Sequence, residues 1–108
     1  GRLGGHFVQG HVDCTTTVTN TERNGRDLRI DLLLPPEFAH YVAYKGSIAI
    51  NGISLTVAEI DETQFSVWVI PHTRKNTNLN TLSPGSIVNL EFDILAKYTE
   101  RLLAVRTQ

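Results

Sequence analysis

The chain predicts an all-β domain, a six-stranded antiparallel Greek-key β-barrel with short helical segments and a C-terminal helix. Three observations carry this. Apolar and polar residues alternate at period two through several stretches of the 108 residues, the pattern of strands with one buried face. Asn24-Gly25, Asn51-Gly52 and Pro84-Gly85 punctuate the chain, and Asn-Gly between alternating runs is the strongest short hairpin signal. The strands so delimited are short and numerous, which favours closure into a barrel over an open sheet with bare edges.

Along the chain, Gly1-Arg2-Leu3-Gly4-Gly5 comes first. It has no initiator methionine, and three glycines in five residues resist helix. Residues 1–5 are expected to be an interdomain linker remnant with further chain upstream, and residues 6–94 the barrel. His6 to Asn20 reads as a long β segment rich in threonine and valine, with Gly10 marking a bulge or close backbone approach. Asn24-Gly25 turns the chain into a strand, Asp27 to Leu34, that sets Leu28, Ile30, Leu32 and Leu34 on one face. Pro35-Pro36 ends it, and Pro36 opens a short helix over Glu37 to Val42. A hairpin over Ser47 to Ile60 turns at Asn51-Gly52. Phe65, Val67 and Val69 then alternate with Ser66, Trp68 and Ile70 until Pro71 stops the strand. His72 to Leu82 reads as a polar loop with one helical turn, and Ser86 to Ile94 as the last strand. Residues 95–108 form a C-terminal helix, with Leu95, Tyr98, Leu102 and Val105 at helical spacing.

Composition narrows the function. A chain of this length suits one domain with one core. Hydrophobic content of 41% and charged content of 19% are those of a globular protein. A net charge of -1 gives no electrostatic reason to expect nucleic acid or a membrane surface. No apolar run approaches the roughly 20 residues that span a bilayer, and no signal-peptide pattern opens the chain, so a cytoplasmic setting is the expectation. The single cysteine, Cys14, has no partner for an internal disulfide, and the four histidines show no zinc spacing. No metal site is expected.

Three clusters carry candidate chemistry. In the central hairpin Ser54 and Thr56 share one face of a strand whose other face is Ile53, Leu55 and Val57. Such a strand is either a solvated wall or one that meets a small polar ligand, and Lys45, at its entry, is either a solvated charge or a group reaching that ligand. The second cluster is Gly4-Gly5-His6-Phe7-Val8-Gln9-Gly10-His11-Val12-Asp13. Its two histidines are either ordinary strand residues or, beside exposed backbone at Gly10, partners for a planar ligand. The third is Trp68-Val69-Ile70-Pro71-His72-Thr73, where a strand ending at proline frees backbone groups that can read a heteroaromatic edge. Trp68 there either stacks or packs. Ser54 lacks the Gly-x-Ser-x-Gly setting of a hydrolase nucleophile.

These clusters, in this order, resemble one barrel of the riboflavin synthase family. The resemblance runs through Gly4 to Asp13, Tyr44-Lys45-Gly46-Ser47-Ile48-Ala49-Ile50-Asn51-Gly52-Ile53-Ser54-Leu55-Thr56-Val57, Val69 to Thr73, and Val88-Asn89-Leu90-Glu91-Phe92-Asp93. It covers nearly the whole chain. The chain is similar to the second of the family's two barrels: it has Ser54 where the first typically has cysteine, and it lacks the N-terminal Met-Phe-Thr-Gly-Ile motif.

The resemblance implies a transferase of riboflavin biosynthesis that needs no cofactor. It would convert two molecules of 6,7-dimethyl-8-ribityllumazine into riboflavin and 5-amino-6-ribitylaminouracil by passing a four-carbon unit between them. It also implies an N-terminal barrel as partner, a homotrimer built through the C-terminal helix, and weak or absent turnover by the isolated half. Carried over residue by residue, Gly10, His11 and Val12 match the segment reaching the partner site. Lys45 matches a ligand-contacting lysine. Ser54, Leu55 and Thr56 match the pocket strand, and Trp68, Val69, Ile70, Pro71, His72 and Thr73 the strand end that reads the pterin edge. Ser54, His6 and Asp93 are the candidates for catalysis. The alternative is a non-catalytic lumazine- or flavin-binding protein of the lumazine-protein type. A flavin barrel of the ferredoxin-reductase type is a weaker reading, because its Arg-x-Tyr-Ser signature is missing.

Overall fold

A computed structural model describes residues 12–43, 45–70, 79–92, 97–98 and 101–103. Six strands, β1 (Cys14–Asn24), β2 (Asp27–Leu33), β3 (Ser47–Ile50), β4 (Ile53–Ile60), β5 (Gln64–Val69) and β6 (Ile87–Phe92), close into an antiparallel barrel in the order β1-β2-β5-β4-β3-β6. The expected barrel is the one observed.

Turn chemistry fixes two of the hairpins. Ile50 pairs with Ile53, so Asn51-Gly52 is the two-residue loop, and both residues hold positive φ (50° and 82°). That is the requirement of the type I′ turn the sequence signalled. The first hairpin differs from expectation by one residue. Asn24 pairs with Asp27, so the loop is Gly25-Arg26, with Gly25 at φ 65° in its first position. Asn24 belongs to the strand, and β1 runs four residues past the expected Asn20.

Bulges in β1 and β4 bend the barrel. The β1–β2 register shifts at Thr19, between Val18 and Asn20, and the β4–β5 register shifts at Ala58, between Val57 and Glu59. An extra residue inverts the in–out parity of the strand beyond it. Ile53, Leu55 and Val57 therefore point inward before Ala58, whereas Ile60, opposite the buried Phe65, points inward after it.

The core is aliphatic. Ile30, Leu32, Ile50, Val67 and Leu90 are fully buried. The short helix expected over Glu37 to Val42 is a 3-10 helix over Pro36–Tyr41, starting at a proline and ending before the extended Val42. Phe38 of this turn stacks on Phe92 with ring centroids 5.1 Å apart. Leu79, in the short 3-10 turn Leu79–Thr81, is buried completely. Residues 97–98 and 101–103 are helical, and Tyr98, Leu102 and Leu103 are exposed. No helix among the described residues is long and apolar enough to cross a membrane.

Candidate functional site

Strand pairing leaves part of the border between β4 and β5 without registered pairs. Their ladder registers Ile60 with Phe65, Glu59 with Ser66 and Val57 with Val67. Beyond Val57 the first half of β4 pairs with β3, from Ser47↔Thr56 to Ile50↔Ile53. Trp68 and Val69 pair with Arg29 and Leu28 of β2. Among the described residues the β4–β5 ladder thus ends at Val57↔Val67, and the strand ends beyond it carry no registered pairs, leaving a seam in the barrel wall.

The lips of this seam are set by antiparallel alternation. A two-residue hairpin loop makes Ile50/Ile53 a mutually bonded pair, and every second pair after it does likewise. Ile53 and Leu55 therefore spend their main-chain groups on β3. Val57 does the same, donating to Gly46 and accepting from Lys45, each at 2.8 Å. Ser54 and Thr56 turn theirs toward β5. On the facing strand Leu34 donates to the carbonyl of Thr63 at 2.8 Å, which sets Phe65, Val67 and Val69 against β2 and leaves Trp68 and Ile70 facing the seam.

The structure sorts the sequence candidates accordingly. Ser54 and Thr56 on β4, and Trp68 and Ile70 on the strand end across from them, flank the unpaired border. Leu55 and Val69 do not face it: their side chains are 9% and 0% exposed in the core, and their main chains serve β3 and β2. Lys45 lies beside Val57 with an exposed side chain. Val12 precedes β1 on the β6 side, where neighbouring Asp13 donates its main-chain N–H to Leu90 at 2.8 Å, so β6 and β3 separate Val12 from the seam. His6, Gly10, His11, Pro71, His72, Thr73 and Asp93 lie outside the described residues. No group of acidic, histidine or cysteine side chains that could hold a metal is found among the described residues. Burial, and then Asp13, push the Cys14 thiol up from its ordinary value, against a nucleophilic role.

Two polar groupings escaped the sequence reading. Asp13 accepts the Phe92 N–H at 2.8 Å and holds Lys97 at 3.1 Å, tying the helical segment to the mouth of β1. On the outer face, Arg29 of β2 donates to Asp31 (2.8 Å), to Ser66 of β5 (3.0 Å) and to both oxygens of Glu59 on β4 (3.1 and 3.2 Å). Ser66, itself buried, donates to Asp31 at 2.7 Å. These bonds, to Asp31 first, hold the guanidinium more firmly in its charged form. The groups line an open depression of about 240 Å³, but they satisfy one another. The only sequence trace is Arg29 and Asp31 two apart on one strand face.

Residues 9–93 match the family described as the lumazine binding domain. The chain belongs to that family. This lumazine-binding domain is 46% identical over 103 residues to a riboflavin synthase of Actinobacillus pleuropneumoniae, which covers 95% of it and 48% of the relative. It is 45% identical over 105 residues to a riboflavin synthase of Mycobacterium tuberculosis, covering 94% and 52%. The domain spans about half the length of the curated relatives it matches. Among solved structures it resembles LumP complexed with 6,7-dimethyl-8-(1'-D-ribityl) lumazine (TM-score 0.75, 27% identity, 80% of this chain and 49% of that one). LumP complexed with riboflavin matches with a TM-score of 0.75, 28% identity, and coverage of 86% and 51%.

Proposed function

We propose that this domain is the C-terminal half of a riboflavin synthase, and that its β4–β5 seam holds one 6,7-dimethyl-8-ribityllumazine. The seam carries the reading. Its facing strand ends offer alternating N–H and C=O groups, the complement of a pterin's ring edge, between the hydroxyls of Ser54 and Thr56 and the apolar Trp68 and Ile70. Pockets of this kind use few placed polar groups on an apolar wall. The names of the relatives, at 45–46% identity, favour the synthase over a LumP-type chromophore protein at 27%.

In the proposed reaction a four-carbon unit passes from one lumazine to the other, giving riboflavin and 5-amino-6-ribitylaminouracil. The chief demand is to stack two rings, and holding reactants in register contributes up to roughly 7–11 kcal/mol in ideal cases. One barrel supplies one half of such a stack; an N-terminal barrel supplies the other. Lys45, whose main chain is bonded to Val57 of β4, is proposed to contact the ligand. Ser54, His6 and Asp93 are proposed for proton transfer or site organisation, and Gly10, His11, Val12, Pro71, His72 and Thr73 for ligand or partner contacts. Residues 95–108, expected as a C-terminal helix, with Tyr98 and Leu102 exposed, are the proposed trimer contact. The strand order is read as a Greek key, residues 1–5 as a linker remnant, and the setting as cytoplasmic.

The test is a fluorescence titration of the domain with riboflavin and with the lumazine, run beside a turnover assay. Saturable one-to-one binding with negligible turnover, and turnover restored by adding a separately made N-terminal barrel, is the expected result. Absence of binding at high micromolar ligand sinks the reading. Binding with no gain from the added barrel returns it to the chromophore-protein class.

A further inference from the structure

The Arg29 cluster stands where the β4–β5 ladder gives way to the seam. Glu59, which receives the forked contact from Arg29, is registered with Ser66, and this is the first pair on the closed side of the Ala58 bulge. Arg29 comes from β2, on the far side of β5, so its guanidinium crosses β5 over Ser66 to reach β4. Asp31 fixes the near end through Nε, and Ser66 bridges Arg29 and Asp31. Three strands are pinned at one point. Arg29 is also the cross-strand partner of Trp68. Both alternate with buried neighbours and face outward, so the pin adjoins one lip of the seam.

We propose that Arg29, acting through Glu59 and Ser66, is a positioning residue that sets how far β4 and β5 diverge, and so the width of the seam. The β4–β5 ladder has three registered pairs, interrupted by the Ala58 bulge. The fork to Glu59 adds a charge-assisted, planar link at the hinge from which the lips spread. No ligand contact is assigned to it. The consequence for ligand affinity rests on the seam reading above; the consequence for the seam itself does not.

Trp68 is the chain's only tryptophan and reports on the lip in ligand-free protein. The experiment compares wild type with Glu59→Gln, which keeps size and removes charge, and with Arg29→Lys, which keeps charge and removes the fork. Folding is checked by far-UV circular dichroism, and riboflavin is the probe. The expected result is a shifted or less polarised Trp68 emission in both variants without ligand, with riboflavin bound two- to fivefold more weakly, the range of a partly exposed ion pair. Because Glu59 is 63% exposed, about 1 M salt should screen the pair and bring wild type to the level of Glu59→Gln. Trp68 emission identical in folded variant and wild type overturns the clamp, whatever riboflavin does. Shifted emission with unchanged affinity overturns its positioning role. If wild type binds no riboflavin, the ligand reading fails, and the Trp68 comparison alone decides the clamp.

Discussion

Lys45 donates its main-chain N–H to the carbonyl of Val57 over 2.8 Å while holding φ at +66°, and Val57 donates back to Gly46 over 2.8 Å. Two residues thus oppose one, in a bulge whose first position is ordinarily glycine in the left-handed region. Lys45 is also third in a turn closed by Gly46 N–H on the Ala43 carbonyl at 2.8 Å, where positive φ again favours glycine. The actual glycine is the next residue, where a Cβ would stand 3.0 Å from the Ala43 oxygen, tighter than an ordinary contact. A lysine in left-handed backbone marks Lys45 as a position where backbone and side chain are worth testing separately.

Replacing Lys45 by glycine and by alanine separates backbone from side chain. Alanine keeps the left-handed strain and glycine relieves it. After glycine's greater unfolded-state freedom is set against that, Lys45→Gly should exceed Lys45→Ala by about 0.5–1 kcal/mol, roughly 2–8 °C in melting temperature. Both should bind riboflavin more than about tenfold more weakly, a loss of about 1.4 kcal/mol. Equal melting points would show that the backbone is unstrained, and unchanged affinity would make Lys45 a surface charge.

Where a local rule decided the structure, the sequence was readable. Asn51-Gly52 announced its turn because positive φ is a property of those two residues. Leu28, Ile30 and Leu32 announced a buried face because β2 contains no bulge. The bulges at Thr19 and Ala58 carry no local mark. Each inverts the parity of the strand beyond it, so Ile60 points inward against the alternation begun at Ile53. The seam was half legible: the hydroxyls of Ser54 and Thr56 showed in the sequence, but which backbone groups face outward depends on where a ladder stops. That is why Leu55 and Val69 stood beside Ser54 and Ile70 as candidates. The Arg29–Glu59 contact joins residues 30 apart, beyond any periodicity.

Leu79 lies in a stretch that reads as a polar loop, yet it is fully buried in the main hydrophobic cluster. Its 3-10 turn delivers one large side chain into the core without a strand to announce it. Leu79→Ala should cost about 2–5 kcal/mol, the range for a buried leucine lost to a cavity. Chemical denaturation measures this directly, and a loss below about 1 kcal/mol would place Leu79 at a collapsible edge of the core.

Asp61 closes the β4–β5 turn. Its Oδ1 accepts the N–H groups of Thr63 and Gln64, both at 2.8 Å, and these bonds hold its carboxyl below the ordinary carboxylate range. A carboxylate whose folded value is depressed stabilises the fold above its unfolded value, and that contribution fades as pH falls through the folded one. Asp61→Asn keeps an acceptor oxygen without a titrating group. The variant should therefore lack the part of the wild type's acid loss that begins near about pH 4. Parallel denaturation curves for the two proteins from about pH 6 to pH 2 would remove Asp61 from the account.

Amide hydrogen exchange reads the seam one residue at a time. Leu55 is spent on β3 and should exchange slowly whether or not ligand is present. Ser54 and Thr56 turn their N–H groups to the seam and should exchange faster in the free domain, then slow on adding saturating riboflavin. Exchange through local opening tracks the free energy of breaking the protecting bond. A hydrogen bond to ligand worth about 1 kcal/mol slows an amide by roughly fivefold. The alternation itself is the signature, because a general tightening of the barrel would protect Leu55 and its neighbours alike. Protection of Ser54 and Thr56 with Leu55 unchanged would assign the ring edge to these two amides. Uniform protection along β4, or none, would move the ligand away from the seam.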